Sequence, residues 1–177
     1  MNPLRIAHLT SALLLILAAG CGGGGGGGGG RLADGGIGGT GISSGSISAI
    51  GSIVVNGRRF DVEAAEIKVN GTHVNQSALE VGYVVDVRGD FDDGIAESVE
   101  FIPDLVGPVT AKDIPVGTDT GTITVMEQVV QVTPTTLFSN VAGAPELASG
   151  NRVLVSGFRN SREEIVASHI RLNPDSD

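Results

Sequence analysis

From Ser46 onward, valine, isoleucine and threonine alternate with polar residues, and glycine breaks the alternation at short intervals. In an extended chain successive side chains point to opposite faces, so Ile53 and Val55, or Val85 and Val87, fall on one face and make a core. Short period-two runs bounded by glycine predict antiparallel strands. No stretch of ten or more residues holds a helical period. Between Ile53-Val54-Val55 and Arg58-Arg59-Phe60 stands Asn56-Gly57. A type I′ hairpin prefers that dipeptide because both central residues must take positive φ.

The pattern occurs twice. Gly51, Ile53, Val55, Phe60, Val62, Ile67 and Asn70 recur 70 residues later as Gly121, Ile123, Val125, Val130, Val132, Leu137 and Asn140. Leu79, Gly82, Val85, Val87 and Gly89 recur at an offset of 68 as Leu147, Gly150, Val153, Val155 and Gly157. Ala96, Val99 and Phe101 recur at 71 as Ala167, Ile170 and Leu172. Small changes of offset along a long match indicate loops of different length in a duplicated unit.

In each unit Gly82 or Gly150 would turn the chain into a strand, and Gly89 or Gly157 would let a strand of a closed barrel bend. Ser77-Ala78-Leu79 and Ala144-Pro145-Glu146-Leu147 would each form one helical turn whose leucine plugs a barrel end. The expected fold is all-β: two tandem OB-like barrels of five or six strands, at 45–104 and 105–173, with a tail at 174–177. The alternative is one β-sandwich built jointly. Pro103 to Pro108 lies between the units and sets the boundary near Asp104.

Gly51-x-Ile53, the block from Leu79 to Gly89, and Asp93-Gly94-x-Ala96-x-x-Val99 together resemble a bacterial domain family of unknown function that occurs singly or in tandem in lipoproteins. The second unit departs from it at one hairpin, where Asn160-Ser161-Arg162-Glu163-Glu164 replaces the Asp-Gly turn. The resemblance supplies no catalytic residue.

The N-terminal stretch agrees with that resemblance. Arg5 precedes a mostly apolar run from Ile6 to Leu17, about a dozen residues, which is signal-peptide length; a spanning helix needs roughly 20. Ala18-Ala19-Gly20-Cys21 resembles the lipobox of bacterial lipoproteins, with alanine at 18 where leucine is more common. The resemblance implies a signal peptide at 1–20, cleavage after Gly20 and lipidation of Cys21, with acyl chains enough for stable anchoring. Gly22 rather than aspartate after the cysteine implies sorting to the outer membrane. Residues 21–44, rich in Gly with a few Ser and Thr, are expected to be a disordered tether spanning roughly 25 to 30 Å.

Charge and composition narrow the chemistry. With Arg5 removed, 20 acidic residues stand against 10 basic ones, a poor surface for nucleic acid. Cys21 is the sole cysteine, so no disulfide forms within the chain. Asp90, Asp92 and Asp93 resemble a calcium loop, but Phe101 stands where an EF-hand needs its bidentate glutamate; turn chemistry is the expected role and a weak cation site the alternative. His73 and His169 are expected to be solvated, the first in a loop and the second on a polar strand face. Adjacent strand residues such as Ser168 and His169 point to opposite faces and form no catalytic pair. Arg58-Arg59 is expected to be a solvated turn. Gly36 to Gly41 fits G-x-G-x-x-G and Gly41 to Gly45 fits G-x-S-x-G, but a glycine-rich segment gives such matches by chance.

The expected function is therefore a lipid-anchored envelope protein with a non-catalytic interaction role, facing the periplasm or the cell surface. Its partners would be the membrane, through the anchor, and another envelope protein, without cofactor or nucleic acid. The alternative is a module binding a small ligand such as an oligosaccharide, a cell-wall fragment or a cation.

Overall fold

The computed structural model describes residues 41–172. The signal peptide, Gly20, Cys21, residues 21–40 of the expected tether and the 174–177 tail lie outside the described residues. The described residues belong to one compact unit. Among them, no helix is long and apolar enough to cross a membrane.

The first repeat carries β1 (Ile42–Ala49), β2 (Ile53–Val55), β3 (Arg58–Phe60), β4 (Glu66–Val69), β5 (Thr72–His73), β6 (Val84–Asp90) and β7 (Ile95–Phe101). The second carries β8 (Leu105–Asp113), β9 (Gly121–Val125), β10 (Gln128–Val132), β11 (Leu137–Ser139), β12 (Arg152–Arg159) and β13 (Ile165–Leu172). Their sheet orders are β3-β2-β1-β6-β7-β4-β5 and β10-β9-β8-β12-β13-β11. These are the same order, apart from the added two-residue β5.

Each sheet curls until its ends meet. In the second repeat β10 pairs in parallel with β13, Val130 opposite Ile165 and Gln131 opposite Val166. In the first, Asp61 bridges to Ile95, and its carbonyl accepts the Ala96 N–H at 2.9 Å. Closure gives each repeat its own core: Ile53, Val55, Phe60, Val85, Val87 and Val99 in one, Ile123, Val125, Val130, Val153, Val155 and Ile170 in the other. Two separate cores replace the joint sandwich that the sequence left open.

Local chemistry explains the shared details. Asn56 and Gly57 have φ of 52° and 75°, the type I′ signature. Leu79 and Leu147 follow single 3₁₀ turns at Gln76–Ala78 and Ala144–Glu146 and are buried as barrel plugs. Gly89 and Gly157 sit at β-bulges, where a Cβ would run into the backbone carbonyls of Ile95 and Val166 respectively.

Three sequence readings need correction. β1 begins at Ile42, inside the expected tether, because Ile42 to Ser46 pair in register with Arg88 to Val84. β8 begins at Leu105, which shortens the connection between the barrels to residues 102–104. Leu137 is not the counterpart of Ile67. Ile67 lies opposite Val99, whereas Phe138 lies opposite Ile170, so the repeat runs at 71 in this strand and leaves Leu137 exposed.

Candidate functional site

The polar side chains with most chemical potential gather where the barrels meet, and a bulge puts them there. Along β12 and β13, Ser156 lies opposite His169 while Gly157 lies opposite Ala167, so Ser168 has no partner of its own. That extra residue shifts the alternation: Ala167 and Ile170 both face the core, and His169 turns outward from its own barrel. Outward here means toward the first barrel, and His169 is only 3% exposed. The expectation of a solvated His169 is thus overturned because the first barrel covers the outward face on which it lies, and the bulge turns Ser168 outward beside it, so the two do not point to opposite faces.

The first barrel contributes the segment Glu80 to Val84, which enters β6 through Gly82 at φ +94°. Its backbone groups and two side chains meet the second barrel. His169 Nδ1 lies 2.7 Å from the Val81 carbonyl. His169 Nε2 lies 2.9 Å from Ser139 Oγ and 3.1 Å from Glu80 Oε2. Arg171 donates to Glu80 Oε1 at 3.0 Å. The Ser168 hydroxyl donates to the Gly82 carbonyl at 2.6 Å, with the Ser156 carbonyl at 3.0 Å, and the Val84 N–H donates to Ser156 Oγ at 2.9 Å. Below the joint Asp104 Oδ2 accepts the Gly157 N–H at 2.9 Å.

An apolar layer backs these bonds. Tyr83 stacks on Phe101 at 3.9 Å and meets the His169 ring edge-on at 4.9 Å, and Leu154 of β12 packs against the first barrel's core. Burial pushes the Tyr83 phenol above its ordinary range, while hydrogen bonding to Arg171 pulls the other way. That same bond is the main influence holding Arg171 firmly charged. The Arg171 Nε is buried and unpaired.

The joint is asymmetric although the barrels are not. In register, the first barrel's counterparts of Ser156, Ser168, His169 and Arg171 are Arg88, Glu97, Ser98 and Glu100. Arg88 and Glu97 are exposed and their face carries no docked segment of the second barrel. The second barrel's counterparts of Glu80 and Tyr83 are Ala148 and Asn151. A serine and a histidine standing where the repeat has charged or small residues are the sequence signal that would have disclosed this joint.

The remaining candidates are accounted for locally. Asp90 Oδ1 accepts the Asp92 and Asp93 amides at 2.9 and 3.1 Å, an Asx turn that caps the β6–β7 hairpin. Among the described residues, no three His, Cys, Asp or Glu side chains are grouped closely enough to hold a metal ion. His73 is exposed and lies 3.1 Å from Glu66, whose carboxyl is held below its usual range chiefly by hydrogen bonding to Lys68. Arg58 and Arg59, expected in a turn, are exposed residues of β3, and Arg58 lies over the Phe91 ring at 5.7 Å. Gly41 to Gly45 leads straight along β1, with no helix after it to strain a serine. A shallow cavity of about 130 Å³ is lined by Ser44, Val84, Asp86, Glu100, Ile102 and Asp104.

A feature with no marker in the alternation pattern lies under each first hairpin. Gly45 leaves room for Asn56, whose Nδ2 donates to the Ser44 carbonyl at 2.8 Å; Gly107, its counterpart, leaves room for Met126. The pair is recognisable only when the two repeats are superposed.

No curated protein and no solved structure matches the chain. Two segments, 42–100 and 106–171, each match the family described as Domain of unknown function (DUF5666). Each match coincides with one barrel and breaks at the short connection between them, so the chain belongs to the DUF5666 family and carries two copies of its domain in tandem.

Proposed function

We propose that this protein is a lipid-anchored, non-catalytic interaction module of the bacterial cell envelope, held by Cys21 and presenting its two barrels as one body to another envelope protein. One observation carries the reading. The histidine and serines that could support acid–base or nucleophilic chemistry spend their polar atoms on joining the barrels, with His169 Nδ1 on Val81 and Nε2 against Ser139 and Glu80. What stays accessible is hairpin and loop surface bearing apolar side chains: Ile50, Ile102, Val116 and Phe158.

The cavity beside β6 is smaller than a typical small-ligand pocket. Ligand pockets run from about 300 to 1,000 Å³, and this one is well below that range.

The test is crosslinking in intact envelopes, with wild-type protein and Cys21→Ser compared. Wild-type protein should fractionate with membranes and yield a reproducible protein adduct, and C21S should lose the membrane fraction. Repeated failure to capture any protein, with the anchor intact, would refute the interaction role. A C21S protein that stayed on membranes would refute the anchor.

A further inference from the structure

We propose that the joint between the two barrels is proton-dependent, with His169 as its sensor: the barrels are locked while the ring carries both protons and loosen when it carries one. The inference is independent of what the exposed surface binds. It rests on an inventory of donors and acceptors. The Val81 carbonyl can only accept, so His169 Nδ1 must carry a proton to bond it at 2.7 Å. Glu80 Oε2 lies 3.1 Å from Nε2 and, ionised, can only accept, so the two attract only when Nε2 carries a proton as well. The locked state of the proposal is the one in which both nitrogens donate, an imidazolium. Ser139 Oγ, at 2.9 Å from Nε2, can accept alongside the carboxylate.

Every charged or titratable group facing the ring fits that state. From the first barrel come Glu80, which supplies the opposing charge, and Tyr83, which meets the ring edge-on. From β13 itself comes Arg171, which binds the other oxygen of Glu80. Ser139 of β11 and Ser156 of β12 are neutral.

Removal of one proton leaves Nδ1–H on Val81 and a lone pair on Nε2. Ser139 can turn its hydroxyl to donate into that lone pair, but Glu80 Oε2 then faces it with no proton between. His169 is nearly without water, so the repulsion is poorly screened. The relief available is for the Glu80 to Val84 segment to move off β12 and β13. That movement breaks the bonds from Val84 N–H to Ser156 and from Ser168 to the Gly82 carbonyl.

The Val84 amide is the natural reporter, because its partner lies on the other barrel. Hydrogen exchange is followed on the full chain in detergent at about pH 5.5 and about pH 8.5, which bracket the ordinary imidazole range. Rates are corrected for intrinsic exchange. Protection of Val84 should fall about tenfold or more at the higher pH, a typical loss for a charge-assisted bond, while amides within the β6–β7 ladder hold. Glu80→Gln should remove the pH dependence, since its amide can donate to the bare Nε2. Ring ¹⁵N shifts of His169 in the unaltered protein should show two protonated nitrogens at the lower pH and Nδ1–H alone at the higher. Val84 protection that is flat across pH, an E80Q protein that keeps the wild-type dependence, or a His169 ring in one protonation state throughout would each overturn the proposal.

Discussion

Gly82 and Gly150 are repeat counterparts with φ of +94° and +90°, yet their surroundings differ. A Cβ at Gly150 would meet nothing within 4 Å, whereas one at Gly82 would sit 3.0 Å from the Ser168 carbonyl and 3.1 Å from His169 Cβ and Nδ1. Alanine at either position carries the backbone cost of positive φ, about 1–2 kcal/mol. At Gly82 it also wedges the joint, adding about 1–3 kcal/mol for overpacking. The difference between Gly82→Ala and Gly150→Ala therefore measures how tightly the barrels are docked, with the backbone term cancelled. Urea unfolding gives the two free energies. Emission from Tyr83, the sole tyrosine in a chain without tryptophan, reports on the joint itself because that ring lies between Phe101 and His169. G82A should be less stable than G150A by about 1–3 kcal/mol and should alter Tyr83 emission before unfolding, which G150A should not do. Equal losses, within about 0.5 kcal/mol, would refute the tight joint.

Other expectations follow from single features. Glu127 holds φ +69° at the second position of the β9–β10 turn, where the first repeat has glycine, so Glu127→Gly should raise stability by about 1 kcal/mol in chemical denaturation. Leu147→Ala should cost about 2–5 kcal/mol, because the leucine plugs the second barrel and is buried. Gly89→Ala should cost about 3 kcal/mol or more, since its Cβ would collide with the Ile95 carbonyl; circular dichroism and melting would read it. Tyr83 gives a pH expectation of definite sign: the unfolded phenol ionises near about 10 and the folded one later, so stability is unaffected below that pH and falls as pH rises above it. A 295 nm titration should show a late-titrating tyrosine, and Tyr83→Phe should abolish that alkaline loss.

Much of the fold is written plainly in the chain. Alternation at Ile53, Val55, Val85 and Val87 marked the core, Asn56-Gly57 marked a turn by its backbone chemistry, and the double occurrence of Leu79 and Leu147 marked the plugs. What escaped is what depends on insertions in the alternation. The bulge at Ser168 turns Ser168 and His169 to the same outward side, and nothing local distinguishes a bulged strand from a regular one. The same limit hid the Phe138 register, since Leu137 and Phe138 are both apolar and either could face inward. Met126-Glu127 carries no turn signature, yet it adopts positive φ because the strands on either side are already paired. The joint was illegible because it forms between segments about 70 to 90 residues apart, and none of its members belongs to a motif.

The unequal faces of the two barrels limit assembly. A contact that joins the head of one unit to the tail of the next does not close, and repeated through identical copies it would build a filament. Here the residues of the joint are present on one face of each barrel only. The second barrel offers Ala148 and Asn151 where the docking segment needs Glu80 and Tyr83, and the first barrel offers Arg88, Glu97 and Glu100 where the receiving face needs Ser156, Ser168 and Arg171. The two described barrels thus carry one matched pair of faces and two outer faces that lack the residues of the joint.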